Sequence, residues 1–134
     1  MTAPIRVVAA VVERDGRYLL GLRPRDKRHG GLWEFPGGKL DEGESVAEAA
    51  ARELDEEMEL RVEAVGRHLE SVRDGDSPFV IEFHEVTVTG EPTPHEHERI
   101  GWFAPSELEA MPLAPADRAF AARLAEARPS AEDV

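Results

Sequence analysis

The chain has no cysteine, and only 16 lysines and arginines against 28 aspartates and glutamates. The first absence excludes disulfides and thiolate metal sites, and it fits a reducing compartment. The shortage of bases leaves a formal net charge of −12. A surface that negative repels polynucleotide phosphates and anionic membranes, so neither is expected as a partner. A small phosphorylated substrate is not excluded, because a local basic patch or a metal can overcome the average field. Long apolar runs are missing too. The opening "MTAPIRVVAAVVERDG" breaks at Glu13, short of a membrane span. It also lacks the basic region and small-residue cleavage site of a signal peptide. The expectation is a soluble cytoplasmic protein, monomeric or homodimeric, and 134 residues suffice for one domain with its own core.

What is present reads as strands with helices. "RVVAAVVE" (6–13) and "RYLLGLR" (17–23) flank Asp15-Gly16 and predict two adjacent strands, as in a hairpin. The loop "RPRDKRHGG" (23–31) concentrates four of the sixteen lysines and arginines together with His29, either as an anion-facing patch or as a solvated loop. Ser45, with Glu48 three residues on, predicts a capping box for a helix "VAEAAARELDEE", whose Val46, Ala50 and Leu54 form a core stripe. Residues 60–73 and 79–90 predict long strands, "IGWFA" a short one, and "PSELEAM" a helical turn. "APADRAFAARLAEA" predicts a last helix with Phe120 and Leu124 packing, and 128–134 a frayed tail. No repeat or linker interrupts the chain. The fold class is therefore α+β or an α/β/α sandwich, with a domain over 1–127.

The helix carries acids at Glu53, Asp55, Glu56, Glu57 and Glu59. At about 3.6 residues per turn, Glu53, Glu56 and Glu57 share one edge within an arc of roughly 100°. Like charges at such spacings repel by about 0.2–0.5 kcal/mol per pair. A solvated face tolerates that cost, and a divalent cation would reverse it.

Read whole, Gly38, five residues, Glu44, seven residues, Arg52-Glu53-Leu54, one residue, Glu56-Glu57, one residue, Glu59-Leu60 resembles the Nudix box. One position departs, since Glu59 stands where the box has glycine. The flanking "GLWEFPGGKLDEGES" and "PLAPADRAF" resemble the MutT-like branch, and "PLAPAD" in particular resembles bacterial CTP pyrophosphohydrolases, which also act on modified pyrimidine and oxidised purine triphosphates. The resemblance spans about residues 5–127 and implies a mixed sheet sandwiched by helices, with the box as loop–helix–loop. It implies hydrolysis of a nucleoside triphosphate to monophosphate and pyrophosphate, with Mg²⁺ or Mn²⁺. The alternatives are another nucleoside diphosphate derivative, such as ADP-ribose or a dinucleotide polyphosphate, and a catalytically silent nucleotide-binding module.

The same resemblance implies the site residues. Glu53, Glu56 and Glu57 would be the hard oxygen ligands that such cations require, with a carbonyl of Gly37 or Gly38 as another. Arg52 and Glu44 would pair and orient the helix edge, or form a plain surface salt bridge. Glu53, Glu56 and the acids of "HEHE" compete as general base; Glu96 best matches the family's loop acid, which also places it among the metal ligands, and Glu98 is second. Arg23 resembles a phosphate-gripping arginine, with Lys39 a weaker candidate. Phe35 would stack on a base or sit in the core. Asp117 would read the base or cap its helix; an ionised carboxylate there accepts only, selecting amino-bearing edges. A second metal site at His29, His95 and His97 lacks paired spacing. Glu59 costs roughly 1 kcal/mol if the helix still ends in the left-handed conformation that glycine tolerates.

Overall fold

The computed structural model describes residues 3–127; the tail expected at 128–134 lies outside the described residues. Strand β1 (Ile5–Val11) is central to a mixed sheet. It pairs antiparallel with β5 (Gly37–Lys39) and parallel with β7 (Phe79–Thr89), and β6 (Arg61–Arg73) flanks β7 antiparallel. A second antiparallel sheet combines β2 (Glu13–Arg14), β3 (Arg17–Leu22), β4 (Trp33–Glu34) and β8 (Arg99–Phe103). Helix α1 is Val46–Met58, α2 Pro105–Leu108 and α3 Pro115–Ala127. This is the α+β arrangement expected.

The hairpin needs one correction. The apolar run 6–13 is not one strand paired to the next, because it divides at Val12 and changes sheets. Only β2 pairs with β3, around Asp15 and Gly16 at φ 54° and 79°. Both central residues at positive φ give the twist that a two-residue hairpin requires. Upstream, β1 instead inserts between β5 and β7.

Alternation along β1 builds two cores. Ala9 and Val11 point to one side, with Tyr18, Leu20, Phe35, Phe83 and Phe120. Val8 faces Ala49 and Ala50 of α1, while Ala10 and Val12 join Leu54 and Met58. The small alanines let α1 lie close, and burying Leu54 and Met58 completely contributes about 1.5–3 kcal/mol each. The capping box forms as expected: Ser45 Oγ accepts from the Glu48 N–H at 3.1 Å, and Glu48 accepts from the Ser45 N–H at 2.9 Å. Helix α1 is thereby pinned at its start and packed along one stripe, which leaves the edge bearing Glu53 and Glu57 over β5. Among the described residues, no helix is long and apolar enough to cross a membrane.

Candidate active site

Helix α1 ends at Glu59 with φ 55° and ψ 34°, so the left-handed closure persists without glycine. Glu59 Oε2 meets His95 Nε2 in an exposed hydrogen bond. Just beyond, the backbone carbonyls of Glu57 and Met58 accept from the His95 and Thr93 N–H groups at 2.9 Å each. The Glu98 N–H donates to Leu22 O at 3.0 Å, fixing the loop's other end to β3. So anchored, the loop delivers Glu96 and His97 to a cleft of 350 Å³ whose lining includes Arg23, Glu34, Gly37, Glu53 and Glu57. Glu98 stays outside, accepting from the Arg25 N–H at 3.3 Å.

The three box glutamates divide by depth. Glu57 is 3% exposed, whereas the Glu56 side chain is 53% exposed and faces Arg52 at 3.7 Å. Glu53 lies between them and accepts from Arg52 Nη1 at 2.8 Å. Gly38 lies beneath it, and a Cβ there would come within 2.3 Å of the Glu53 carboxyl and push that side chain aside. Gly37, at φ 156°, leaves a Cβ no room against Val8 O, 1.9 Å away. Burial first, then hydrogen bonding to Glu53 and the charges of Glu53, Glu34 and Glu96, pushes Glu57 up to about 10. Arg52 makes a fork with Glu44, two contacts of 2.8 Å, and donates to Lys39 O at 3.0 Å. That fork, with a smaller contribution from the Asp41 N–H, holds Glu44 down at about 2. The pair joins the loop before α1 to the helix edge, as the resemblance to the box implies.

A divalent cation fits this edge. Glu57 Oε2 is buried without a hydrogen-bond partner, an oxygen the fold leaves unsatisfied. The end of α1 carries no base, and the helix dipole there favours positive charge. Among the described residues, no three acidic or histidine side chains are already gathered as a metal-binding group. Glu53 and Glu57 are the carboxylates in place, with Glu96 beside them in the lining and Glu56 on the outer edge.

A second cavity, of 240 Å³, shares Arg23, Glu34 and Gly37 with the acidic cleft and extends past Phe35 and Lys39 to Asp117. Arg23 grips Glu34 at 3.0 Å and Arg28 O at 2.6 Å. Lys39 lies 5.1 Å from the Phe79 ring centre. Phe35 is 3% exposed and meets Tyr18, Phe83 and Phe120 edge-on, so its ring belongs to the core. Its N–H donates to Asp117 Oδ1 at 2.9 Å, linking the cavity floor to the first turn of α3. Burial raises the Asp117 pKa well above the ordinary range, which favours the neutral acid over the acceptor-only carboxylate expected from sequence. His29 pairs with buried Asp74, His95 with Glu59, and His97 with Glu34, so the three histidines do not form a common cluster. A larger hollow of 820 Å³ between β6, β7 and α3 contains none of the box residues.

Glu34 is a site residue that sequence reasoning missed, and His97 enters that reasoning only as a metal ligand. The nearest signal was Gly21 inside an apolar strand, where a Cβ would meet the His97 ring at 2.4 Å.

Comparison with known proteins agrees with this geometry. The NUDIX domain profile matches residues 2–124. The chain is 42% identical over 116 residues to the CTP pyrophosphohydrolase of Escherichia coli, covering 84% of this chain and 85% of that protein. It is 35% identical over 109 residues to the oxidized purine nucleoside triphosphate hydrolase of Mus musculus, covering 78% and 67% respectively. The crystal structure of a MutT NUDIX hydrolase from Burkholderia pseudomallei superposes with a TM-score of 0.78 at 31% identity, covering 92% of this chain and 99% of that one. The chain belongs to the Nudix family, in its MutT-like branch, whose members hydrolyse phosphoanhydride bonds of nucleotides and generally use divalent metals.

Proposed function

We propose that this protein hydrolyses nucleoside triphosphates, cytosine or oxidised purine nucleotides among them, to the monophosphate and pyrophosphate with Mg²⁺ or Mn²⁺. The supporting observation is the junction of the two hollows at Arg23, Glu34 and Gly37. A base seated toward Asp117 would direct its phosphates past Arg23 into the acidic cleft. The activities for which the bacterial and mouse relatives are named favour the same substrate class.

In this reading Glu53, Glu57, Glu96 and Glu56 would hold the cation, and a carbonyl of Gly37 or Gly38 would supply a further oxygen. A bound divalent cation neutralises polyphosphate charge and makes phosphorus more electrophilic. Arg23 orients a phosphate through its guanidinium, and the Arg52–Glu44 fork fixes the helix edge. Water adds to phosphorus as the bridging P–O bond breaks, and its proton passes to a carboxylate. Glu53 and Glu96 line the cleft and are the candidates; Glu98, held on Arg25 N–H, and Glu56, on the outer edge, are less well placed.

Asp117 reads the base as the neutral acid. Its O–H would donate to cytosine N3 while its other oxygen accepts from N4, or donate to guanine O6 while accepting from N1. A panel of normal and oxidised nucleotides, assayed for pyrophosphate with Mg²⁺, tests the proposal. Release from cytosine or oxidised purine triphosphates is expected. Faster cleavage of ADP-ribose, or release of orthophosphate alone, overturns it.

A further inference from the structure

We infer that His97 is a positioning residue that holds Glu57 for a divalent cation and, through Glu34, holds Arg23 for phosphate. The inference rests on the hydrolase reading for its purpose, but its geometry stands apart from it. His97 Nε2 lies 2.9 Å from Glu34 Oε2 and 3.8 Å from Glu57 Oε1, with the side chain only 3% exposed. Glu34 already accepts from Arg23 as a carboxylate, so in this inference Nε2–H donates to Glu34, while Glu57 Oε1 is a neighbour beyond hydrogen-bond range. Glu34 accepts from Arg23 Nη1 at 3.0 and 3.2 Å. A line of side chains thus runs from β3 through β4 and the loop to α1, joining the second sheet to the box helix.

The ring has little freedom to leave this line. Gly21 lies under it, paired across to Glu34 and Ile100, and any larger residue there would displace the ring. The loop bearing His97 is tied to α1 on one side and to β3 on the other. Groups that stand behind metal-binding carboxylates set their orientation, and losing one costs up to about 10–100-fold in metal affinity or activity; His97 does so here by closing against Glu57 at 3.8 Å while its hydrogen bond to Glu34 fixes the ring.

Two carboxamides separate this role from packing. Glutamine can bring its amide nitrogen to the position of Nε2, whereas asparagine falls short. His97→Asn is expected to weaken Mn²⁺ binding, measured by the electron-spin signal of free Mn²⁺, by about 10–100-fold. His97→Gln should recover most of that loss, and kcat at saturating Mn²⁺ should rank the variants in the same order. Equal Mn²⁺ affinity in wild type and the asparagine variant, or equal damage in both variants at unchanged melting temperature, overturns the assignment. A second readout needs no variant: nitrogen-15 spectra of wild type should show His97 protonated at Nε2, and protonation at Nδ1 alone overturns the donor role. If wild type binds Mn²⁺ in this His97-dependent way but releases no pyrophosphate from any triphosphate, the hydrolase reading falls and the positioning role stands.

Discussion

Glu57→Gln should make the metal-free protein more stable while removing its response to metal. In the native state the Glu57 carboxyl is pushed from 4.5 up to about 10, chiefly by burial. An unfolded chain ionises it above 4.5, while the folded chain keeps its proton until about 10. The folded state therefore binds more protons across that window, and stability falls as pH rises through it. Below 4.5 the penalty is absent. The slope is at most about 1.4 kcal/mol per pH unit. For a domain of this size each kcal/mol moves Tm by roughly 3–4 °C. Glutamine keeps the shape, cannot ionise, and can still donate to Glu53. In EDTA the variant's Tm advantage should thus be slight at pH 5 and grow toward at most roughly 15–20 °C at pH 8. Mn²⁺ should reverse the order at pH 5 and narrow the gap at pH 8, because a ligand at about 100 times its Kd adds roughly 2.7 kcal/mol to wild type, and the variant has lost a carboxylate ligand. Calorimetric melts at both pH values, with and without Mn²⁺, check this. An advantage independent of pH, or equal stabilisation of both proteins by Mn²⁺, refutes the reasoning.

Glu53→Gln should reduce turnover by about 10²–10⁴-fold if Glu53 is the general base, with an unchanged circular dichroism spectrum; near-normal turnover would remove Glu53 from the chemistry. Glu59→Gly relieves a left-handed residue worth about 1–2 kcal/mol and loses about 0.4–1 through the freer unfolded chain. Its Tm should rise by a few degrees with kcat unaltered, and a fall would show that the His95 contact outweighs the strain. Asp117→Ala should broaden base preference more than it slows hydrolysis. Asp117→Asn, neutral with both donor and acceptor, should keep the wild-type substrate ranking, and a scrambled ranking would argue for an ionised Asp117.

Local spacing is enough to place some of this site. Glu53 and Glu57 are four apart on a helix whose start Ser45 and Glu48 define, so their shared edge comes from helical geometry before any packing is known. Glu44 and Arg52 pair across the same short segment, and the strands of 60–73 and 79–90 declare themselves by composition. Other features depend on partners far away in sequence. Val12 ends one strand because β5 and β7 claim β1, while β3 claims Glu13 and Arg14. The depth order of Glu57, Glu53 and Glu56 depends on which side of α1 the sheet covers. That Glu96 rather than Glu98 reaches the cleft depends on hydrogen bonds from their loop to α1 and to Leu22. His97 meets Glu34 across 63 residues of chain. Phe35 becomes core because three rings surround it, and Asp117 is raised because the same core excludes water from its carboxyl. The amino-acid order by itself determined the helix, its cap and the crowding of acids along one edge, since these arise within a few turns of backbone. Only the tertiary structure decided which acids are dry, which are paired and which loop reaches them, because desolvation and charge depend on everything packed nearby.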